Sequence, residues 1–364
     1  MTDPAISEVR AVAYEIPTDS PEGDGTLEWS STTLVVVTAT AAGQTGLGYT
    51  YAHQAAAGLV NYKLADVVTG CDALDVRAAS AAMVHEVRNL GAAGIVSMAI
   101  SAVDIALWDL KARLLGIPLV VALDAAHDTV PVYGSGGFTS YDSEQLTEQL
   151  EGWVAAGIPR VKMKVGRDPV GDHDRLRTAR KAIGDNTELY VDANGAFNPR
   201  EAIEWARTYR HDYDVRWFEE PVTSDDVAGL RLVRSAAPGG ITIAAGEYVW
   251  APWQAPALLS AVDVLQVDVT RCLGITGFLV AAATAQSRNL DVSAHCAPQI
   301  SAHVSAAVRR LRPLEYFHDH VRIESMLFDG VLEPNAEGAL RPDRSRPGHG
   351  LSFKWADADG FRVA

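Results

Sequence analysis

The sequence contains few cysteines and no long run of basic residues. The three cysteines among its 364 residues, Cys71, Cys272 and Cys296, lie far apart and form neither a zinc-binding pattern nor a disulfide framework. This cysteine usage fits a reducing cytoplasm, where we expect the protein to act. The formal net charge of −15, without a long basic run, argues against a surface that binds nucleic acid.

Hydrophobic runs long enough to cross a membrane are also lacking. The most apolar stretch, from about Ile95 to Leu114, is interrupted by Asp104, Asp109 and Lys111. The N-terminus has no basic stretch followed by an apolar core, so we expect neither secretion nor membrane association. The 48% of hydrophobic residues can instead supply the core of a large globular fold.

The first 125 residues predict an α+β domain. The segments ISEVRAVAYEIP and STTLVVVTATA are rich in β-branched and apolar residues, which is typical of strands. Between them, PTDSPEGDGTLEW contains so many Pro, Gly and acidic residues that it predicts a mobile loop. Helical periodicity follows and ends in SMAISAVDIALWDLKARLLGIPL, which Gly116 and Pro118 terminate.

Eight short apolar runs alternate with helix-like stretches from Val130 onward. In chain order they are VPVYGSGG, RVKMKVG, ELYVDANG, VRWFEEP, ITIAAGE, VLQVDVT, LDVSAHC and PLEYFHD. The successive distances along Lys164, Asp192, Glu219, Glu247, Asp268 and His295 are 28, 27, 28, 21 and 27 residues. A strand, a loop and a crossover helix need about that length, so the pattern predicts a closed (β/α)8 barrel, a TIM-like barrel, over residues 126–326.

An open, doubly wound sheet is the competing layout. It ranks second because an open sheet rarely carries a charged residue at the end of nearly every strand, whereas a barrel collects eight strand ends around one mouth. The remaining residues, 327–364, include Pro- and Gly-rich segments and an FKW run. We expect this C-terminal segment to fold back on the first domain, which would cap the barrel.

Three carboxylates end consecutive predicted strands, namely Asp192, Glu219 and Glu247. In a barrel they would converge on one volume, where like charges repel unless a metal neutralises them. An all-oxygen set suits Mg²⁺. Glu220 should face away, because alternation along a strand sends neighbours to opposite faces. The alternative is that these acids cap turns or pair with arginines.

Lys162 and Lys164 are two residues apart on a predicted strand, so both should emerge on the same face. Two neighbouring ammonium groups lower each other's pKa, and a lysine lowered in this way can act as a general base. A K-x-K pair is also common on solvated strands. The neighbouring carboxylates are what favour the catalytic interpretation.

Asp268 and His295 end the sixth and seventh predicted strands, where a hydrogen bond between them would orient the imidazole for acid–base work. The alternative for His295 is a structural histidine. Glu315, at the end of the eighth strand, could donate a hydrogen bond to a developing oxyanion if it is protonated. Otherwise it is a surface or ion-paired acid.

These motifs resemble the enolase superfamily and, within it, the mandelate racemase subgroup. The helix AISAVDIALWDLKARLLGIPL resembles the last helix of that family's capping domain, and VKMKVG, VDANGAF, WFEEPV and AAGE resemble its second- to fifth-strand motifs. DVTRCLGITG followed by SAHC resembles the sixth and seventh strands. One departure is Leu273, which stands where many relatives have a second glycine.

The resemblance implies a role for each of these residues. The implied Mg²⁺ ligands are Asp192, Glu219 and Glu247, and the implied acid–base groups are Lys164 and the His295–Asp268 pair. Lys162 would lie by the substrate carboxylate, Glu315 would stabilise the enolate oxygen, and Arg271 is the basic residue that often follows the sixth-strand acid.

The resemblance also assigns substrate specificity to two capping-domain segments. Those around Pro17 to Trp29 and Gly48 to Gln54 would close over the mouth, and Tyr51 in the second is a candidate substrate contact together with Lys162 and Arg271. Their polar composition leans towards a hydroxylated substrate, although most of these side chains could equally face water.

The expected chemistry is Mg²⁺-dependent removal of the proton next to a carboxylate, through an enolate that the metal stabilises. The favoured reaction is dehydration of a sugar acid to a 2-keto-3-deoxy acid. A racemase or epimerase of a 2-hydroxy acid or related carboxylate comes next, then a cycloisomerase. A metal-binding protein without turnover is a remote alternative. The expected partner is a small carboxylate substrate, and we expect a homo-oligomer.

Overall fold

A computed structural model describes residues 4–363, which begin with a three-stranded antiparallel sheet. Its strands are β1 (Ile6–Gly23), β2 (Glu28–Ala41) and β3 (Gln44–Tyr51), hydrogen-bonded in that order. Six helical pieces follow: α1 (Ala55–Leu59), a π-helical turn (Val60–Leu64), α2 (Ala65–Val68), α3 (Val76–Glu86), α4 (Ile95–Leu115) and α5 (Leu119–Ala122). We call residues 4–125 the cap.

The cap is held together by close packing of its sheet against α4. Gly46 and Gly48 in β3 permit this approach, because an added Cβ would lie 2.2 Å from the Ala106 carbonyl oxygen and 2.3 Å from that of Ala102. The helix ends at Gly116, whose φ of 68° is left-handed and whose N–H bonds back into the last turn.

The segment predicted as a loop without regular structure is mostly extended strand, and that part of the prediction was wrong. Pro17 to Gly23 belong to β1, Glu28 and Trp29 belong to β2, and only residues 24–27 form the turn. The strand tolerates Pro17 because the pairing shifts register between Pro17 and Glu22. We call residues 17–29 the hairpin; it lies across the mouth of the second domain.

Eight parallel strands form that second domain. They are β4 (Val130–Gly136), β5 (Arg160–Lys164), β6 (Glu188–Asp192), β7 (Val215–Glu219), β8 (Thr242–Ala245), β9 (Val264–Val267), β10 (Asp291–Ala294) and β11 (Leu314–Phe317). The helices and turns between and after them are α6 (Ser143–Ala155), α7 (Asp172–Ile183), α8 (Pro199–Asp212), α9 (Val227–Ala236), a 3₁₀ turn (Pro252–Gln254), α10 (Ala255–Leu258), α11 (Gly274–Gln286), α12 (Pro298–Ala306) and α13 (His318–Leu327).

The sheet closes on itself, which confirms the barrel and excludes the open doubly wound sheet. Strands β4 to β10 pair in chain order, and β11 pairs with β4. Between β10 and β11, the Val292 N–H donates to the Arg310 carbonyl at 2.9 Å and the Arg312 N–H donates to the Val292 carbonyl at 2.8 Å. All eight C-terminal strand ends therefore surround one mouth.

Buried aromatic rings fill the barrel interior. Tyr190 stacks on Trp217 with 5.3 Å between centroids, and Tyr133 packs against both. The Tyr133 hydroxyl accepts a hydrogen bond from the Gln266 side-chain amide at 2.7 Å. The Lys162 ammonium lies 5.2 Å from the centre of the Tyr133 ring, so this aromatic group adjoins the charged groups of the mouth.

The C-terminal segment returns to the cap. It contains β12 (Phe328–Asp329), β13 (Ala339–Leu340), β14 (Ser352–Phe353), α14 (Trp355–Ala358) and a 3₁₀ turn (Asp359–Phe361). The Val363 N–H donates to the Ala13 carbonyl at 2.9 Å, and Phe353 packs on Tyr14. Among residues 4–363, no helix combines the length and apolar character that crossing a membrane requires.

Candidate active site

Three buried carboxylates meet at the barrel mouth. Asp192 and Glu219 are the last residues of β6 and β7, and Glu247 follows β8 by two residues. One oxygen from each lies within 4.8 Å of the others. Burial and the charge of Asp192 raise the pKa of Glu219 to about 8. This all-oxygen donor set fits Mg²⁺, which the three residues would hold.

Glu220, which directly follows Glu219, is also buried, but it is not part of this group of three possible metal ligands. Alternation applies only to extended backbone, and Glu220 has a φ of 37° just beyond the end of β7. Burial, followed by the charges of Glu247 and Asp192, raises the pKa of Glu220 well above its usual value. Its Oε1 has no hydrogen-bond partner among the described residues.

Both lysines of β5 point into the same carboxylates. The Lys164 ammonium is 2.6 Å from Asp192 Oδ2. The Lys162 ammonium donates to both Glu219 oxygens at 2.8 Å and lies 2.6 Å from Glu315 Oε1. The two lysines thus supply positive charge where a divalent cation would also be favoured.

The net pKa of each lysine is raised, contrary to the expected lowering, although Lys162 does lower the pKa of Lys164. Burial lowers the pKa of Lys164 and so does Lys162, but the carboxylates of Asp192, Glu315 and Glu247 together outweigh both. Burial also lowers the pKa of Lys162, but nearby groups, with Glu219 and Glu315 first among them, raise it by more. Lys164 can therefore act as a neutral base only when another positive charge, such as a bound cation, neutralises these carboxylates.

His295 and Asp268 are in direct contact. His295 Nδ1 lies 2.7 Å from Asp268 Oδ2, and Nε2 lies 3.1 Å from Glu247 Oε2. Burial lowers the pKa of His295, but Cys296, Glu247 and Glu315 outweigh it, so the pKa is well above its usual value. Thr270 donates its N–H and hydroxyl to Asp268 Oδ1 at 2.6 and 2.7 Å, which fixes the carboxylate.

Glu315 is ion-paired in the structure. Its Oε1 accepts from the Ser135 hydroxyl at 2.7 Å and lies against Lys162. Although burial favours the neutral acid, Lys162 and His295 hold the pKa of Glu315 well below its usual value. Of the two alternatives from the sequence, the ionised, paired acid agrees with these contacts.

A cavity of about 320 Å³ lies between the mouth and the cap. The barrel residues that line it include Lys164, Asn194, Glu247, Arg271, His295, Cys296, Glu315 and His320. The cap contributes mostly polar side chains, among them Asp24, Trp29, Ser31, Thr32, Thr33, Tyr51 and His53.

Two proposed substrate contacts are already engaged by neighbours. Tyr51 lines the cavity with its ring, which stacks on His320 at 3.4 Å, while its hydroxyl lies 3.3 Å from Glu324 Oε1, towards the protein interior. Arg271 lies 3.4 Å from both Glu247 Oε1 and Asp268 Oδ2. Tyr51 can therefore offer a substrate its ring face, and Arg271 adds positive charge at the cavity wall.

Sequence reasoning missed Cys296 and His320, which line this site. Cys296 directly follows His295, and its thiol lies 3.3 Å from His295 Nε2 and 3.4 Å from Glu315 Oε2. The position of Cys296 in the SAHC motif indicated that it lies near the site. The direction of its side chain depends on a left-handed φ of 49°, which the sequence does not reveal. His320 lies on the helix after β11, which gave no sequence signal.

The departure at Leu273 has a backbone explanation. Its φ of 67° and ψ of 35° are left-handed, a conformation that favours glycine and that leucine adopts at a cost. Gly274 follows with a φ of 75°, and a Cβ there would lie 2.4 Å from Asp104 Oδ2. Glycine is therefore required at position 274, where Asp104 of the cap helix α4 approaches the backbone.

The barrel, its buried carboxylates and the acid–base groups at one mouth define a metal-dependent enzyme site. Comparison with known families agrees with this geometry. Residues 9–123 match the N-terminal domain of the mandelate racemase / muconate lactonizing enzyme family, and residues 145–358 match the enolase C-terminal domain-like family. The chain belongs to the enolase superfamily, in its mandelate racemase subgroup.

Individual relatives extend the comparison. The 3,6-anhydro-α-L-galactonate cycloisomerase of Streptomyces coelicolor is 32% identical over 95% of this chain and 96% of its own. The L-talarate/galactarate dehydratase of Salmonella typhimurium is 32% identical over 85% and 76%, respectively. Relatives thus include sugar-acid dehydratases and cycloisomerases, and this chain is an enzyme of the same superfamily.

Solved structures show the same fold. A mandelate racemase/muconate lactonizing enzyme-like protein from Rubrobacter xylanophilus has a TM-score of 0.97 and 53% identity, covering 99% of this chain and 100% of its own. A racemase from Streptomyces coelicolor with bound magnesium has a TM-score of 0.92 and 30% identity, covering 98% and 100%. Enolase-superfamily enzymes use Mg²⁺, and the carboxylate cluster agrees with that cofactor.

Proposed function

We propose that the protein dehydrates a sugar acid to a 2-keto-3-deoxy acid, with Mg²⁺ held by Asp192, Glu219 and Glu247. The observation that carries this proposal is the pair of Lys164 and His295, which line one cavity from β5 and from the end of β10. These strands are three positions apart around one side of the barrel and five around the other, so the two side chains approach a substrate from different directions.

The two groups suit different proton transfers. Lys164, once neutral, takes the proton next to the carboxylate, and the electron pair of that C–H bond passes into the enolate. His295, which its contact with Asp268 at 2.7 Å orients, gives a proton to the hydroxyl on the next carbon, which leaves as water. The enol then tautomerises to the keto acid. Bound Mg²⁺ supplies positive charge that stabilises the enolate oxygens.

The polar cap side of the cavity supports a hydroxylated substrate. Asp24, Thr33 and His53 face the same volume as Lys164, and these groups can exchange hydrogen bonds with hydroxyl groups. A sugar acid of this kind should be consumed with Mg²⁺ and lose one water. An epimerase or racemase would give a product of the same mass as the substrate. A cycloisomerase, such as the Streptomyces coelicolor relative, would also leave the mass unchanged.

Isotope exchange in deuterated water tests the roles of the two acid–base groups. His295→Asn should still exchange the α-proton of the stereoisomer that presents it to Lys164, although turnover falls by about 10²–10⁴-fold. Lys164→Ala should retain exchange only for the opposite isomer, if that isomer binds. If both variants stay folded and bind Mg²⁺ but neither exchanges a proton, the assignment of the two bases is wrong.

A further inference from the structure

A second group of possible metal ligands lies outside the active site, where the hairpin meets the barrel. It consists of Asp19 and Glu22 on β1 and His318, the first residue of α13. Each offers one ligand atom, and the three atoms lie within 4.8 Å of one another. His318 Nε2 and Asp19 Oδ2 are already 2.8 Å apart, so the hairpin and the barrel are in direct contact at this point.

The Glu22 side chain is the strongest indication that this group binds a further ligand. The residue is fully buried, and its Oε2 accepts a hydrogen bond from Trp29 Nε1 at 2.8 Å. Its other oxygen, Oε1, has no partner among residues 4–363. A buried carboxylate oxygen without a partner is costly, because the water that would have solvated it has been removed.

Charge around the group is also unbalanced. Asp319, next to His318, is fully buried, and its Oδ2 has no hydrogen-bond partner among the described residues. Its other oxygen pairs with Arg322 at 2.6 Å, and Arg322 also donates to the Pro17 carbonyl at 2.7 Å. The carboxyl groups of Asp19, Glu22 and Asp319 thus have only one guanidinium and one imidazole as basic partners among the contacts described. A further positive charge would be favoured there.

We propose that Asp19, Glu22 and His318 bind a divalent transition-metal cation of the Zn²⁺ type, which ties the hairpin to the barrel. One imidazole nitrogen and two carboxylate oxygens suit Zn²⁺ better than Mg²⁺, which prefers oxygen alone. With bonds of about 2.0–2.1 Å, tetrahedral ligands lie roughly 3.3 Å apart. Asp19 and His318 need only separate slightly from their present contact, and water can complete the coordination on the exposed side of Asp19.

Zinc titration in a large excess of Mg²⁺ tests this site, since the excess keeps the active-site carboxylates filled. Calorimetry with the full-length protein should show a saturable Zn²⁺ site in addition to any Zn²⁺ bound by His295, Cys296 and Glu315. Glu22→Gln and His318→Gln should each weaken Zn²⁺ by at least about 100-fold, since loss of even an indirect partner of a metal costs 10–100-fold. The matched control His211→Gln, on the exposed surface of α8, should bind as the wild type does.

Proteolysis of the hairpin gives a second measurement. Zn²⁺ should slow cleavage between residues 17 and 29 in the wild type and have no such effect in Glu22→Gln, which keeps the size of the buried side chain. The lack of a saturable Zn²⁺ site in the wild type, apart from any at His295, Cys296 and Glu315, would overturn the proposal. Equal Zn²⁺ affinity in the wild type and in a folded Glu22→Gln protein would overturn it as well.

Discussion

The buried acids at the barrel mouth and those between cap and barrel have different partners. At the mouth, Asp192, Glu219 and Glu315 all contact lysine ammonium groups at 2.6–3.4 Å. Between cap and barrel, Asp104 accepts from the Thr276 hydroxyl at 2.6 Å and from its N–H at 2.9 Å. Glu324, likewise, has tyrosine hydroxyls as its partners.

The different partners indicate different roles: the mouth acids can bind a cation, and the acids between cap and barrel hold the two domains together. The mouth acids face positively charged ammonium groups, so a divalent cation can take its place among them. Burial raises the pKa of Asp104 to about 7 and that of Glu324 to about 8, and the side chains that donate hydrogen bonds to them are neutral. These interface acids join α4 to α11 and β3 to α13, which holds the cap on the barrel.

Replacing one mouth acid should have the largest effect. Glu219→Gln removes one of the three carboxylates, so Mg²⁺ affinity should fall by at least about 100-fold, more than the loss of an indirect metal partner. Calorimetry with Mg²⁺ measures it. Glu324→Gln is the matched control, since it makes the same change at a buried interface acid and should leave Mg²⁺ affinity unchanged. Equal affinity in Glu219→Gln and the wild type would contradict the ligand assignment.

The next effect concerns the hairpin tip, which links the two regions. A Cβ on Gly25 would lie 2.4 Å from the Ala193 carbonyl oxygen and 2.7 Å from that of Val165, both near the mouth. Gly25→Ala should therefore displace the tip, and overpacking of about 1–3 kcal/mol corresponds to a KM increase of about 5- to 150-fold. Gly58→Ala, where the Cβ meets nothing within 4 Å, is the control.

The hairpin also provides a measurement of closure that needs no turnover. We expect protease to cleave it more slowly when substrate and Mg²⁺ are bound, because closure excludes water from the enolate. Cleavage should be faster in Gly25→Ala than in Gly58→Ala. Identical cleavage rates with and without substrate would argue against closure of the hairpin.

The barrel residues were predictable because their spacing repeats. Lys164, Asp192, Glu219, Asp268 and His295 lie at or next to strand ends, and topology alone brings strand ends together. Backbone exceptions were not predictable, since the left-handed φ values of Glu220 and Cys296 have no sequence signature.

The extended conformation of the hairpin and the raised lysine pKa values could not be predicted either, because both depend on tertiary contacts. Pro17 to Gly23 have the composition of a loop, and contacts with the barrel, such as Thr139 N–H to the Gly23 carbonyl at 2.8 Å, keep them extended. The lysine pKa depends on Asp192 at 2.6 Å rather than on Lys162 alone. Both properties come from tertiary contacts between segments distant in sequence.

An interface acid should affect stability rather than catalysis. Asp104→Ala leaves the Thr276 N–H and hydroxyl without their acceptor, which should lower the free energy of unfolding by about 1–3 kcal/mol. Denaturant unfolding measures the loss, with Asp104→Asn as the control that keeps one acceptor oxygen and should lose less. Full stability in Asp104→Ala would show that Thr276 finds another partner.

The last effect is a pH dependence at Glu324. Burial raises its pKa to about 8 from an ordinary value of 4.5, so between these pH values the folded protein holds a proton that the unfolded chain releases. Stability from this group should therefore fall as pH rises, by at most about 1.4 kcal/mol per pH unit. Glu324→Gln cannot ionise, yet it keeps an oxygen for Tyr49 and Tyr51. Its stability relative to the wild type should increase from pH 5 to pH 8, and parallel stability curves for the two proteins would show that Glu324 is already ionised in the folded state.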